Sequence, residues 1–288
     1  MKKIFIQANC QGQAIKTIIN SVPRLKEIFA IYELRAIHLW NDTDKELVFN
    51  SIKECDIYLH QPISKYFREY SSENLKMYLK KGSISISFPV IYFSGYNPET
   101  VYLKNKEKKK IALYFDYHDI NLIKMYLDGR SIDEVYSTLN DSNFYTYEFI
   151  RNNIEKSFHE LEQREKNLDI AISSYIKQNL QQGNKLFFSM NHPINDVLCE
   201  LVNRILYQLS IDPLSKDEKL LFPPELLGRS NLYLYKSIAS FLNLPYKKSI
   251  KIDAVDLSLK EMIENYFKSY KDNEEILKFN LELYNDFQ

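Results

Sequence analysis

The residues best suited to acyl chemistry meet in one short stretch, KIFIQANCQGQ, where the thiol of Cys10 lies between the amides of Asn9 and Gln11. A thiol becomes a nucleophile once deprotonated, and placement at a helix N-terminus is expected to lower its pKa. The backbone N–H groups of Cys10 and Gln11, with the Asn9 side chain, can instead hold the oxyanion of a tetrahedral intermediate. Two histidines offer a base for a hydroxyl proton: His192 in MNHP and His60 in LHQP, each beside an amide side chain, Asn191 and Gln61. His118 and Asp119, in DYHD, are a further pair, equally well explained by a helix N-cap. His38 and His159 read as structural or surface residues. Cys55 and Cys199 fall on apolar helical faces and read as core. No two Cys or His residues show zinc-ligand spacing, so no metal site is expected.

For these groups to act together, the elements around them must deliver them to one edge. Ile4, Phe5 and Ile6 form an apolar run that stops at small and polar residues, and Ala14, Ile15, Ile18 and Ile19 then recur at helical spacing before Pro23. This reads as strand, tight turn and helix. A second strand is expected over Ile31 to Trp40, with Asn41 to Asp44 opening a helix to about Glu54. A third strand covers Asp56 to His60, a helix capped by Ser71 or Ser72 runs toward Gly82, and Ser83 to Phe88 alternates as a fourth strand. Asn184 to Ser189 reads as a fifth, followed by a helix with Val197, Leu198, Leu201, Val202, Ile205 and Leu206 on one face.

Strands alternating with helical segments predict an α/β fold: a mostly parallel five-stranded sheet in a three-layer core. Residues 1–115 and 184–212 form that core, 116–183 a helical insertion, and 213–288 a helical C-terminal region packed on the core. In a parallel sheet the strand ends share one edge, the edge where ligands bind in open α/β folds. Asn9-Cys10-Gln11, His60-Gln61, the loop FPVIYFSGYNP and Asn191-His192 would all converge there.

The totals exclude some classes of function. Of the 288 residues, 38 are Lys or Arg and 38 are Asp or Glu, so no global field favours nucleic acid or an anionic membrane. An anionic ligand must be held locally, and the Lys104 to Lys110 run is either a solvated loop or such a local field. Three unevenly spaced cysteines argue against a disulfide framework and fit a reducing compartment. No apolar stretch approaches the ~20 residues that span a bilayer. A cytoplasmic protein, at most peripheral to the membrane, is expected.

The segments IQANCQGQA, SFPVIYFSGYNPE and FFSMNHP resemble the WcbI-like family of capsular polysaccharide biosynthesis proteins, over most of the chain. The family hallmark is an Asn-Cys-Gln turn after the first strand, usually preceded by glycine where this chain has Ala8. The resemblance implies a coenzyme A-binding acetyltransferase with a core similar to SGNH hydrolases. The aspartate and histidine of an SGNH hydrolase DxxH motif are not visible here. It implies catalytic roles for Cys10, His192, Asn9 and Gln11, and coenzyme binding by Ser94, Gly95, Tyr96 and Asn191; Gly12, Gln13 and Gln61, at the same strand ends, are further candidates for coenzyme binding. The expected partners are coenzyme A or acetyl-coenzyme A and a carbohydrate acceptor, with no nucleic acid. An SGNH-like esterase and a non-catalytic scaffold remain as alternatives.

Overall fold

The computed structural model describes residues 1–245 and 249–284. In chain order its elements are β1 (Lys2–Gln7), α1 (Cys10–Ser21), α2 (Pro23–Ile28), β2 (Phe29–Ile31), α3 (Lys45–Glu54), β3 (Ile57–His60), α4 (Ser72–Lys76) and β4 (Ile84–Ser87). There follow β5 (Thr100–Val101), β6 (His118–Asp119), α5 (Ile120–Leu127), α6 (Ile132–Leu139), α7 (Tyr147–Glu165) and α8 (Ser173–Gln181). The chain continues with β7 (Phe187–Ser189), β8 (His192–Pro193), α9 (Asn195–Gln208), α10 (Lys236–Phe241), β9 (Ser249–Ile252), β10 (Val255–Ser258), α11 (Leu259–Tyr270) and α12 (Glu274–Leu283).

Contacts gather the chain into two units. The first comprises Met1–Tyr92, Phe158–Gln182 and Asn191–Leu227; the second comprises Phe93–Ser157, Gly183–Met190 and Gly228–Gln288. The stretch 116–183, read from sequence as one helical insertion, is therefore divided between them.

A four-stranded parallel sheet in the order β2-β1-β3-β4 organises the first unit. Its register sets Gln7 opposite His60 and His60 opposite Ser87, so three strand ends lie level along one edge. The strand order reverses at β1, which makes the gap beyond β1 and β3 the topological switch point. Phe5, Leu34, Val48, Ile52, Cys55, Tyr58 and Leu75 form one buried cluster against the sheet. Asn41 and Asp44 make the capping box that leads into α3, and α9 buries the predicted face from Val197 to Leu206.

Two expected strands differ. The second is only Phe29–Ile31, because the Leu34 N–H turns back to the Tyr32 carbonyl and Ile37 N–H crosses to Ala8 O. Leu34 and Ala36 are buried without belonging to a ladder, and Ile37–Leu39 is a short 3-10 helix. The parallel sheet has four strands rather than five, since Phe187–Ser189 is not part of it. At the free side of β4, the Asp169 carboxylate accepts from Ser87 N and Oγ (2.7 and 2.6 Å), and Ile170 N–H binds the Ser87 carbonyl. That edge is closed at its C-terminal end by a loop.

The second unit is helical and rich in tyrosine. The α6 helix opens on a capping box of Ser131 and Glu134, and Gly129 just ahead of it supplies a left-handed residue (φ 72°) after α5. In the C-terminal region, read from sequence as helical, β9 and β10 pair antiparallel, and the helices α11 and α12 follow and break at Asp272 (φ 68°). Asp119 caps α5 through Asn121 N (2.8 Å) and Leu122 N (3.2 Å), and takes a 2.6 Å bond from the Tyr235 hydroxyl. Glu99 is buried close by, with Oε1 on Asn97 and Oε2 without a partner among the described residues.

Burial, followed by the Asp119 charge, raises the Glu99 carboxyl well above its usual range, and burial also raises Asp119. The stabilisation associated with such protonated acids is whole below the ordinary carboxylate pKa and is lost as pH rises through the native values. Replacing Glu99→Gln should therefore stabilise the protein progressively more between pH 4 and 7, read as the difference in urea midpoint from the parent at each pH. His118, lowered to about 4 by burial, trends the opposite way but cancels in that difference. Parallel midpoint curves would rule out the linkage.

Candidate active site

At the switch point of the first unit the chain leaves β1 through Ala8 and enters α1 at Cys10. Asn9 is the N-cap: its Oδ1 accepts from Gln11 N (2.9 Å) and its carbonyl from Gly12 N (3.0 Å). Among the first-turn amides, those of Cys10 and Gln11 also act on the Cys10 sulfur. The Asn9 N–H is itself held by Gln61 Oε1 at 3.0 Å. Gly12 is needed for close approach of α1 to β1, since a Cβ there would lie 2.7 Å from Ala8 Cβ and 3.1 Å from Ile6 Cγ2.

Gln11 is fully buried, and its side chain joins three loops. Nε2 donates to Ile91 O (2.7 Å) and Asn191 O (2.9 Å), while Oε1 accepts from Gln61 Nε2 (3.0 Å) and Ile91 N (3.1 Å). Both ends of that amide are saturated, which makes Gln11 a positioning residue. Through it the turn bearing Cys10, the end of β3, the segment after β4 and the Asn191-His192 segment are fastened to one another. The Gln13 side chain makes a single bond, from Nε2 to Leu34 O at 2.8 Å.

The structure thus brings Asn9, Cys10, Gln11, Gly12, Gln61, Asn191 and His192 into one region of the first unit. Ser94, Gly95 and Tyr96 belong to the second unit. There Ser94 N binds Ser157 Oγ (2.9 Å), and the Tyr96 hydroxyl donates to Asn184 O and accepts from Leu186 N. The Tyr96 ring is buried against Phe93 and Phe187. The lysine run also lies in the second unit, where Lys106, Lys109 and Lys110 face Glu275, Glu107 and Asp116.

The Cys10 thiol differs from its sequence-based expectation. Burial raises its pKa, and the backbone N–H groups of Cys10 and Gln11 offset only part of that rise. The thiol is the resting form because desolvation outweighs the helix-end amides. Cys55 and Cys199 are buried and pushed up to about 11. Burial lowers the half-buried His192, which favours a neutral imidazole able to accept a proton.

Gln7 escaped notice in the sequence, although a glutamine ending an otherwise apolar strand was a visible signal. It is fully buried, accepts from the Tyr58 hydroxyl and Ser72 Oγ, and donates to Tyr70 O, bracing the end of β1.

A parallel α/β sheet with a Cys-bearing turn at its switch point defines the class of protein. The model of the family described as "Polysaccharide biosynthesis enzyme WcbI" matches residues 3–214, and the chain belongs to that family. Among solved structures it is similar to one described as WcbI, a novel polysaccharide biosynthesis enzyme, in its native form without a disulfide between coenzyme A and a cysteine. The TM-score is 0.81 at 17% identity, covering 99% of this chain and 96% of that one. No curated protein matches the sequence. Among the described residues, no helix is long and apolar enough to cross a membrane, and no group of three His, Cys, Asp or Glu side chains is placed to hold a metal ion.

Proposed function

We propose that the chain is an acetyl-coenzyme A-dependent O-acetyltransferase that modifies a sugar or sugar nucleotide for a surface polysaccharide. One observation carries this reading: the Cys10 turn and the Asn191-His192 segment are tied together by the Gln11 amide at the switch point of a parallel sheet. The structural relative's description, which specifies its native form as one without a disulfide bond between coenzyme A and a cysteine, is the ground for placing the thioester beside Cys10.

In the direct route the acceptor hydroxyl attacks the acetyl carbonyl carbon, and His192 takes the hydroxyl proton. The carbonyl oxygen becomes an oxyanion, held by the Cys10 N–H and the Asn9 side-chain amide; Gln11 N–H is already committed to the cap. The bond from the acetyl carbon to the coenzyme sulfur then breaks, and the coenzyme leaves as its thiol with the proton that His192 took, which returns the imidazole to its neutral form. Loss of one oxyanion donor costs roughly 100- to 1,000-fold in turnover. The raised thiol pKa of Cys10 favours this route over an acetyl-Cys10 intermediate.

Four measurements test the reading and its route. Calorimetry should detect coenzyme A binding, and absence of binding at millimolar coenzyme would defeat the acetyltransferase assignment. Exposure to coenzyme A disulfide should add one coenzyme to Cys10 by thiol–disulfide exchange, reversibly and not to Cys55 or Cys199, as read by peptide mass. Incubation with labelled acetyl-coenzyme A alone should leave Cys10 unacetylated, and Cys10→Ser should keep substantial turnover. An acetyl adduct on Cys10 would replace the direct route with the covalent one.

A further inference from the structure

The first unit also holds a cleft of about 440 Å³ at the ends of β3 and β4, lined among others by His60, Ser64, Glu73, Lys76 and Ser87. Its size falls within the roughly 300–1,000 Å³ typical of small-molecule sites. None of its lining residues belongs to the Cys10 turn or to Asn191-His192. The two regions share β3, because His60 faces the cleft while the next residue, Gln61, anchors Asn9.

His60 is the informative group. It is 3% exposed, and its Nε2 has no hydrogen-bond partner among the described residues. Leaving such an atom unmatched is costly unless something else satisfies it. Nδ1 lies 3.2 Å from the Gln61 carbonyl, an acceptor only, so Nδ1 carries the proton and Nε2 presents a lone pair. Burial, then the Lys76 charge, lower this imidazole to about 4, so it stays neutral at pH 7. A neutral Nε2 acceptor calls for a hydroxyl donor.

The charge around it is mixed. Lys65 pairs with Glu73 at 3.3 Å, and the Asp169 carboxylate is held by Ser87 behind the wall. Exposed Lys76 has no carboxylate within 4.0 Å among the described residues, and its field reaches both His60 and Asp169. A ligand that satisfies this lining carries hydroxyls for His60 and an anionic group for Lys76.

We propose that this cleft binds an anionic carbohydrate, a sugar phosphate or sugar acid, with a ring hydroxyl donating to His60 Nε2 and the anion on Lys76. Its identification as the acceptor's place rests on the transferase reading above; the binding itself does not. The test uses the full chain labelled with ¹⁵N-histidine and titrated with glucose 1-phosphate, galactose 1-phosphate, mannose 1-phosphate and glucuronate. Glucose and inorganic phosphate serve as partial probes, and coenzyme A is titrated in parallel.

At least one anionic sugar should shift the His60 Nε2 resonance toward that of a hydrogen-bonded acceptor. It should bind about tenfold tighter than either partial probe, a difference of about 1.4 kcal/mol. Lys76→Ala, a surface change that leaves the fold intact, should erase the preference over glucose, and His60→Gln should weaken binding of the sugar. No His60 shift with any of the four, an equal response to inorganic phosphate, or binding unaffected by both substitutions would overturn the proposal. Coenzyme A binding with no sugar response defeats the cleft alone, whereas a sugar response without coenzyme binding defeats the transferase reading alone.

Discussion

Gln11→Leu is expected to lower stability by about 3–5 kcal/mol, among the larger losses a single substitution produces. Leucine matches the volume but removes four hydrogen bonds: it strands the Ile91 N–H and carbonyl and one Gln61 donor inside the first unit, and it takes one donor from the Asn191 carbonyl. Each stranded polar group costs about 1–3 kcal/mol, and relaxation and entering water recover part of the sum. Gln13→Leu provides the contrast, because that side chain is half-buried and gives up one bond to Leu34 O; about 1 kcal/mol is expected. Urea denaturation of both variants decides the matter. Losses of similar size, or a Gln11→Leu loss below about 1 kcal/mol, would show that the junction is not what holds the strand ends together. Where enough folded Gln11→Leu protein remains, its coenzyme affinity should fall as well, since the loops that build the site are no longer fastened.

The second large effect concerns helix–strand packing. Gly12→Ala should destabilise by about 2 kcal/mol despite the better helix propensity of alanine, because overpacking costs about 1–3 kcal/mol and propensity returns at most about 1. The obstacle is chiefly one atom, the Ala8 Cβ at 2.7 Å, with Ile6 Cγ2 at 3.1 Å behind it. Moving the glycine from 12 to 8, as Ala8→Gly with Gly12→Ala, should recover most of the loss. A double-mutant cycle should give a favourable coupling of about 1 kcal/mol or more. Additive losses would place the strain elsewhere.

What could be read from sequence followed the range of the physics involved. The capping box at Asn41 and the cap at Ser71 depend on residues three positions apart, and the structure has them where the sequence reading put them. The buried face of α9 was equally plain, since helical periodicity is a local signal. The strand expected over Ile31–Trp40 misled because Leu34 and Ala36 alternate with polar residues in an irregular segment that no ladder holds. The fifth strand was a true strand, but Phe187–Ser189 could not announce that it lies outside the parallel sheet or that Asp169 closes the end of β4.

The site divides along the same line. Cys10 at a helix N-terminus was visible, and the amides do pull its pKa down, yet burial by distant residues wins. Gln11 looked reactive for its company, whereas its partners stand 80 and 180 positions away and leave neither end of the amide available. His60 was legible as a strand-end histidine and a candidate base. Its orphaned nitrogen is a product of packing.

The interleaving of the first unit bears on how the protein must be made. Arg24, near the start of the chain, grips Glu218 and the carbonyls of Asp212 and Pro213, and the unit draws its last segment from Asn191–Leu227. The sheet strands lie within the first 92 residues, so a ribosome releases them and α1 long before α9, the helix that packs on α1, has been synthesised. During that interval the face of α1 destined for α9 stays exposed, and closing it depends on contacts of high sequence separation, which form slowly. Nascent chains arrested before Leu227 should therefore be clients of holding chaperones, and the parallel sheet is not a module that can be cut out and expressed by itself.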